Sequence, residues 1–597
     1  MSLTTRSRSA PPPPPPVPEA AAPRVPHRRW EALLGWFRDP RHLLLTAVAI
    51  VVAYLAVVPA ATMAVASLQS SFLSVGPVQW TFRHYAETLG DGDFWAMAGN
   101  SFVYAVSVSV ICTVVGFALA WLVTRTNTPA KWFARLAALI PLIVPGILNT
   151  VAWALLFAPH TGLLNELFRA VGLPAFDIYS LPGMVLVQSM HVVPVAFLMG
   201  SAAFATMDSS LEEAALSSGA PPRRVFRLVT VRMIRPAVMS AALLMFVQTI
   251  STFEVPQLIG VPGHTFVFVS RIYKALQTFP TDYGSVGVIG IFILVVAGLG
   301  LWLSRRVGGG GAATQTISGK GFRPGTTDLG RWRWLGLAAS VLFFLVAVAL
   351  PLLMLLWSSL LPGYEPPSAS ALRHLTLANY RAVLHTPDLT ASVRNSLVTA
   401  LIAGAVVTVL SSLVAYVTVK TKVRGRALLD GLATVPIAVP SVVMGVGILY
   451  WYLTAPIRLH LYGTLAILVI AFVTIGLPYG MRYIAPGMAQ IKDELEEAAA
   501  TSGATWWRTF RRVVVPLLAP SLLSAFLYTV IVAFREISAA IFLYTQDTQV
   551  VSVTIYQQWS NGSYPIVAAL GVLIVVFLAV VVGLVRLVGG RAGLQRG

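Results

Sequence analysis

Two short polar stretches hold the residues whose types and spacing can act on something outside the chain. The first runs Leu211-Glu212-Glu213-Ala214-Ala215-Leu216-Ser217-Ser218-Gly219-Ala220. The second runs Leu495-Glu496-Glu497-Ala498-Ala499-Ala500-Thr501-Ser502-Gly503-Ala504, 284 positions later. Phe226, Arg227 and Pro236 meet Phe510, Arg511 and Pro520 at the same spacing. Paired carboxylates followed by small residues, with no nucleophile–base pair beside them, point to recognition by a partner rather than to bond making. A second group, Glu254, Arg535 and Glu536, lies in apolar surroundings. On insertion scales a carboxylate at the centre of a membrane span costs about 2.5–3.5 kcal/mol. These three fall in the outer thirds of two apolar runs, where the cost is smaller. Two readings stand: the carboxylates line the pathway of a cationic or metal solute, or Arg535 pairs with one of them and holds two parts of the chain together. Gln188, His191 and Asn149 are read as packing or interhelical hydrogen-bonding residues. Cys112 is the single cysteine and the nine histidines are scattered, so no disulfide and no metal cluster is expected.

The elements that must position these residues are membrane helices. Charged residues are 11% of the 597, apolar residues 56%, and the mean hydropathy is +0.76; soluble domains carry about 25% charge. A soluble enzyme is excluded. About twelve windows reach the roughly 20 residues that cross a bilayer as helix: 43–67, 101–124, 134–157, 181–205, 237–258, 284–304, then 335–358, 396–419, 429–453, 463–486, 519–541 and 565–587. The net charge of +19 does not imply nucleic acid. Arg125, Lys131 and Arg135, the arginines of 206–236, and Arg305 with Arg306 fall in alternate connections, as the positive-inside bias requires. Both termini, the central linker and both repeated stretches are therefore expected in the cytoplasm.

The expected architecture is all-α, with two parallel six-helix repeats. Its parts are a disordered Pro/Arg-rich cytoplasmic tail at 1–40, a first unit at 41–305, a Gly-rich flexible linker at 306–333 and a second unit at 334–590. The tail has no cleavable signal pattern, and Trp30, Leu33, Leu34 and Phe37 share one helical face. Ser318-Gly319-Lys320-Gly321 lacks the glycine and the Ser or Thr of a phosphate-binding loop, so nucleotide hydrolysis is not expected here. Tyr85, Asn100-Ser101, Pro141 and Pro145 recur as Tyr380, Asn395-Ser396, Pro436 and Pro440, 295 positions on. Halves with an even number of spans insert in the same sense and share a two-fold axis along the membrane normal. The paired prolines predict kinks in the third and ninth spans. Ser209 with Glu212, Ser210 with Glu213, and Asp493 with Glu496 have capping-box spacing. Gly219 and Gly503 fit C-terminal caps that need positive φ. Each polar stretch thus reads as a helix–Gly–helix elbow, its second short helix opened by Pro222 or Thr505. A symmetric pair of elbows suits a two-fold partner.

Glu497-Ala498-Ala499 to Gly503, then Val513, Val515 and Pro516, resembles the EAA loop of binding-protein-dependent ABC importer permeases. Glu213-Ala214-Ala215 to Gly219, then Val229 and Val231, resembles it too, with Arg232 in place of the proline. The resemblance spans about residues 40–590. It implies the type I importer fold, with EAA loops at 206–236 and 490–520. It also implies two copies of an ABC ATPase docking on Glu212, Glu213, Ala214 and Gly219 and on Glu496, Glu497, Ala498 and Gly503. ATP and magnesium would sit on those subunits, with no cofactor in this chain. A periplasmic or lipid-anchored solute-binding protein would dock outside, and ATPase closure would drive alternating access in a bacterial inner membrane. Ser251-Thr252-Phe253-Glu254-Val255-Pro256, ending Leu258-Ile259-Gly260, and Arg535-Glu536-Ile537-Ser538-Ala539-Ala540, continuing to Leu543-Tyr544, are similar to ferric-iron transport permeases. Permeases for thiamine, polyamines, sulfate or phosphonates share parts of this pattern. The rival is an ATP-independent secondary transporter or channel, which needs no capped elbows.

Overall fold

Hydrocarbon offers the backbone no hydrogen bonds, so an apolar chain of this length folds into helices that satisfy themselves. The computed structural model describes residues 40–70, 79–279, 281–308, 325–454 and 460–591. The tail at 1–39, including the face at 30–37, and the stretch at 318–321 lie outside them.

Among the described residues ten helices are long and apolar enough to cross a membrane, and two bent pairs bring the count to twelve. The first half contributes Leu45–Leu68, Gly92–Arg125, the pair Lys131–Leu142 and Gly146–Leu156, Leu181–Ala205, Pro222–Ile250 and Tyr283–Ser304. The second contributes Gly330–Ser359, Pro387–Lys420, the pair Arg426–Ala438 and Ser441–Thr454, Leu465–Gln490, Trp506–Arg535 and Tyr564–Gly583. Exposed aliphatics such as Val114, Leu353 and Val409, each more than 60% exposed, mark lipid-facing surface.

The proline pairs do more than kink their spans. The third bends by 97° and the ninth by 106°, with Pro141 and Pro145, or Pro436 and Pro440, at each break. Two prolines four residues apart delete two ladder donors, and the ring of each clashes with the preceding turn.

Spans five and eleven depart from the expected 237–258 and 519–541. Both begin at the elbow and end at Ile250 and Arg535. The expected second short helix of each elbow is therefore the first turns of the next span, with π-helical turns at Phe226–Thr230 and Phe510–Val514. Beyond the helix ends the chain stays buried, through Phe253, Val255, Leu258 and Ile259 to the short helix Phe268–Gln277. In the second half it runs through Ile537, Ala539 and Leu543 to Val551–Ser560. Repeat residues hold these short helices in place. The Ser101 hydroxyl accepts from Phe268 N at 3.0 Å and that of Ser396 from Val551 N at 2.7 Å. The Asn100 amide donates to the Phe266 carbonyl, and the Asn395 amide donates to those of Asp547 and Gln549.

The first span of each half packs on the other half. Thr62 donates to the Gly447 carbonyl at 2.9 Å, and the Tyr54 and Tyr452 hydroxyls are 2.8 Å apart. Reciprocally, the Tyr364 hydroxyl, just after Gly330–Ser359, donates to the Leu155 carbonyl at 2.8 Å. The connection at 126–130, the first elbow and the end of the linker meet at one end of the bundle, through the Thr126–Thr327 bridge and the contact of Gly325 with Ser209. At the other end Gln69 bridges Trp80 and Thr88 donates to Ser285. The relative sidedness read from the charges is thus met. The linker is not flexible throughout, since 325–329 packs on the first half.

A Cβ on Gly447 would lie 2.1 Å from the Pro59 carbonyl oxygen, on backbone that cannot yield cheaply. Gly447→Val is therefore expected to separate the exchanged first span and lower the midpoint of thermal unfolding in detergent by about 5 °C. Fluorescence-detected size-exclusion after heating measures it.

Candidate coupling and pathway sites

The two elbows share one geometry. Ser210–Ser217 ends in a Schellman cap: Gly219 N donates to the Leu216 carbonyl at 2.9 Å and Ala220 N to that of Ala215 at 3.1 Å. Asp493–Thr501 ends likewise, with Gly503 N on Ala500 O and Ala504 N on Ala499 O, each at 3.0 Å. Gly219 at φ +81° and Gly503 at φ +77° occupy the left-handed region that the caps require. No residue of either elbow helix is buried. Glu213, Ala214, Gly219, Glu497, Ala498 and Gly503 are exposed, and so are Leu211, Leu216 and Leu495.

The expected capping boxes do not form. The Ser209 hydroxyl donates to Glu213 Oε1 at 2.8 Å, and Asp493 is the first residue of its helix, not its cap. The first carboxylate of each elbow turns inward to a cation at the end of the long second span of its half. Glu212 pairs with Arg125, whose side chain is 2% exposed, and accepts from Thr230. Glu496 accepts from the Tyr416 hydroxyl at 2.9 Å and lies 3.7 Å from Lys420 Nζ. Lys420 also donates to Asp493 at 2.6 Å and to the Ile491 carbonyl. That bond, reinforced by the charge of Lys420, holds the Asp493 carboxyl below its ordinary range. A full positive charge outcompetes a backbone N–H for a carboxylate, which is why the caps yield to the clamps. Rings repeat the pattern: Trp121 meets Phe226 at 5.1 Å between centroids and Tyr416 meets Phe510 at 5.6 Å.

The elbows differ in one respect. Thr327 N donates to the Arg125 carbonyl at 2.7 Å and Leu329 N to Asn127 Oδ1 at 3.0 Å. The linker end therefore braces the first clamp.

Arg535 ends its span, within the outer third that the hydropathy pattern suggests, but Glu254 and Glu536 do not lie in the continuous helices. Their helices stop at Ile250 and Arg535, and the carboxylates belong to the buried chain beyond. Arg535 reaches from the second half into the break of the third span, where it donates to the Leu142 carbonyl and, at 3.2 Å, to His191 Nε2. A guanidinium only donates, so Nε2 is the accepting nitrogen. A Cβ on Gly146 would lie 3.2 Å from His191 Nε2 and 3.3 Å from Glu254 Oε1, so glycine opens the room in which they meet. Glu536 Oε1 accepts from Ala539 N at 3.0 Å. Of the two readings, the Arg535–carboxylate ion pair is not formed among the described residues; the Leu142 carbonyl at the proline break takes the guanidinium instead. Arg535, His191, Glu254 and Glu536 keep partial solvent exposure between the helices. Gln188 donates to Thr252 Oγ1 at 3.0 Å and Asn149 to the Val187 carbonyl at 3.4 Å, the interhelical bonds expected of them. His191, expected to pack, instead joins the cluster. Among the described residues no three His, Cys, Asp or Glu are grouped to hold a metal ion.

Residues 113–308 and 407–593 match the profile of the binding-protein-dependent transport system inner membrane component family, once per half. The chain belongs to this family. It is a multi-pass inner-membrane permease of the ABC importer class. The permease is 27% identical over 503 residues to the ferric transport system permease protein FbpB of Actinobacillus pleuropneumoniae, covering 83% of this chain and 71% of that one. It is 27% identical over 269 residues to the sulfate transport system permease protein CysT of Escherichia coli, covering 43% and 90%. A chain of a bacterial ABC transporter involved in the import of the acidic polysaccharide alginate aligns with 47% of the permease and 99% of its own length, at TM-score 0.39 and 15% identity.

Sequence reasoning counted Arg125 only toward charge bias and passed over Lys420 as its mate. The signal was present: the two stand 295 positions apart, the spacing that pairs Tyr85 with Tyr380. The clamps are unequal in what each keeps once broken. Glu212→Ala leaves Arg125 with the Met207 carbonyl at 3.5 Å, and stranding a buried charge costs about 3–5 kcal/mol. Glu496→Ala leaves the similarly buried Lys420 its other two acceptors, so a smaller loss of about 1–2 kcal/mol is expected, that of one hydrogen-bonded contact. Thermal unfolding of the two variants should rank them in that order.

Proposed function

We propose that this permease couples ATP binding and hydrolysis on two partner ATPase subunits to alternating access, and that its solute is ferric iron. The observation that carries the coupling is the doubled elbow: an exposed, Schellman-capped helix, clamped by its first carboxylate to one span and continuous with the next. A push on Leu211, Leu216 or Leu495 would be delivered both to the long span ending at Arg125 or Lys420 and to the span that leads to Ile250 or Arg535. Those last spans end at the charged cluster, so closure of the partners would move the two halves where Arg535 bridges them. Elbows, linker and both termini belong to the cytoplasmic side on this reading, with a solute-binding protein on the other. Glu213, Ala214, Gly219, Glu497, Ala498 and Gly503 would form the docking surface, and Glu212 and Glu496 its anchors. Glu254, Arg535 and Glu536 would line the pathway. The relative named as a ferric transport permease, aligned over most of both chains, supports iron over the solutes of shorter matches.

Replacing both cap glycines by valine forces a β-branched residue to φ near +80°, at about 1–3 kcal/mol each. The Gly219→Val, Gly503→Val double variant is expected to insert normally and to lose uptake of radiolabelled ferric iron by roughly tenfold or more. Full uptake in that variant, or uptake by the wild type without an active partner ATPase, would sink the coupling reading.

A further inference from the structure

The four helices that run from the charged cluster to the elbows, Leu181–Ala205, Pro222–Ile250, Leu465–Gln490 and Trp506–Arg535, contain no aspartate or glutamate. They do contain arginine. Most of it lies at the elbow ends, but Arg482 stands two turns inside Leu465–Gln490. Its direction follows from the repeat. His191, Val195 and Leu198 form one stripe at spacings of four and three, and His191 faces the second half because it meets Arg535. Their mates 284 positions on are Ile475, Tyr479 and Arg482, so this stripe faces the first half. On the adjacent span Tyr528 stands seven residues, one stripe, before Arg535. Tyr528 meets the rings of Tyr479 and Tyr483 at 5.2 and 5.3 Å between centroids. Arg482 is close enough to Tyr479 and Tyr528 to act on both electrostatically.

Arg482 and Tyr483 are exposed, and Tyr479 and Tyr528 are partly so. Among the described residues neither the Arg482 guanidinium nor the three phenol groups has a hydrogen-bond or ion-pair partner in the chain. These polar ends are thus exposed and unpartnered, with Tyr479 and Arg482 on the stripe that the repeat turns toward the first half. The matching wall of the first half is Val195, Leu198, Met199 and Leu244, all apolar, with Leu198 46% exposed. At these four matched positions the second half is polar, aromatic and positive where the first half is apolar.

From this asymmetry we propose that the second half's wall, Arg482 with Tyr479, Tyr483 and Tyr528, is a binding track for an anionic solute, so that iron crosses as a complex of negative net charge and not as a bare cation. A guanidinium and hydroxyl donors match the outer oxygens of a metal held by carboxylate or phosphate ligands. Past Glu254 and Glu536 a bare trivalent ion would meet positive charge with no carboxylate on these four helices to offset it. The proposal rests on the permease reading above and adds the charge of the cargo.

The test measures uptake of radiolabelled ferric iron, supplied as its citrate complex, by cells that carry the permease with its transport partners. Permease in the membrane is quantified by immunoblot. Arg482→Glu is expected to reduce uptake about tenfold or more, Arg482→Lys to keep it within about threefold, and Tyr528→Phe to reduce it severalfold. If the cargo moved as a bare cation, Arg482→Glu would leave uptake unchanged or raise it, and that result at normal permease levels would overturn the proposal. Uptake by the wild type that persists when the partner ATPase is inactivated would instead overturn the parent reading, and this one with it.

Discussion

A backbone inside hydrocarbon must find every hydrogen bond within the protein, and this fold depends on how that demand is met where helices break. The third and ninth spans turn through about a right angle, and the fifth and eleventh stop at Ile250 and Arg535. The interruptions of the third and eleventh spans are served by side chains from elsewhere in the fold. Arg535 takes the Leu142 carbonyl, Tyr364 takes that of Leu155, and Ser552 takes that of Glu536. Two of these three donors come from the opposite half. The same bonds that make broken helices tolerable therefore join the halves, and the exchanged first spans add to the join.

The charged cluster follows from that arrangement. An arginine that caps a broken helix has to sit where the break is, and the break is opened by prolines and by Gly146. Glu254 and His191 then occupy the same room, partly exposed and between the two halves. At the far end of the same helices the elbows solve a different problem. They are short, exposed and stable only because each is capped by a left-handed glycine and pinned by a buried cation. Loss of a cap changes the direction of the chain; loss of a clamp frees the elbow from one of its two spans.

The pseudo-symmetry is close at the elbows and poor along the cavity. Arg125 with Glu212 and Lys420 with Glu496 keep the same relation in both halves, as do the ring pairs beside them. Tyr479, Arg482 and Tyr528 stand where the first half has Val195, Leu198 and Leu244. On the proposed reading, two like partners would ask for two like elbows, whereas one asymmetric solute would need recognition from one wall only.

The sequence by itself determined the parts that depend on local pattern: the membrane spans, the two parallel halves, the proline breaks and the left-handed glycines at 219 and 503. Periodicity, backbone stereochemistry and an internal repeat carry that information within a few turns of chain. Only the tertiary structure decided what the polar side chains do. The capping boxes had the right spacing and lost to Arg125 and Lys420, which approach from another span; the Arg535 ion pair lost to a carbonyl nearly 400 residues away. Hydropathy windows also carried spans five and eleven past their true ends, because a buried irregular segment is as apolar as a helix. In each case the deciding partner is distant in sequence, and the strongest available donor or acceptor is known only once the helices are packed.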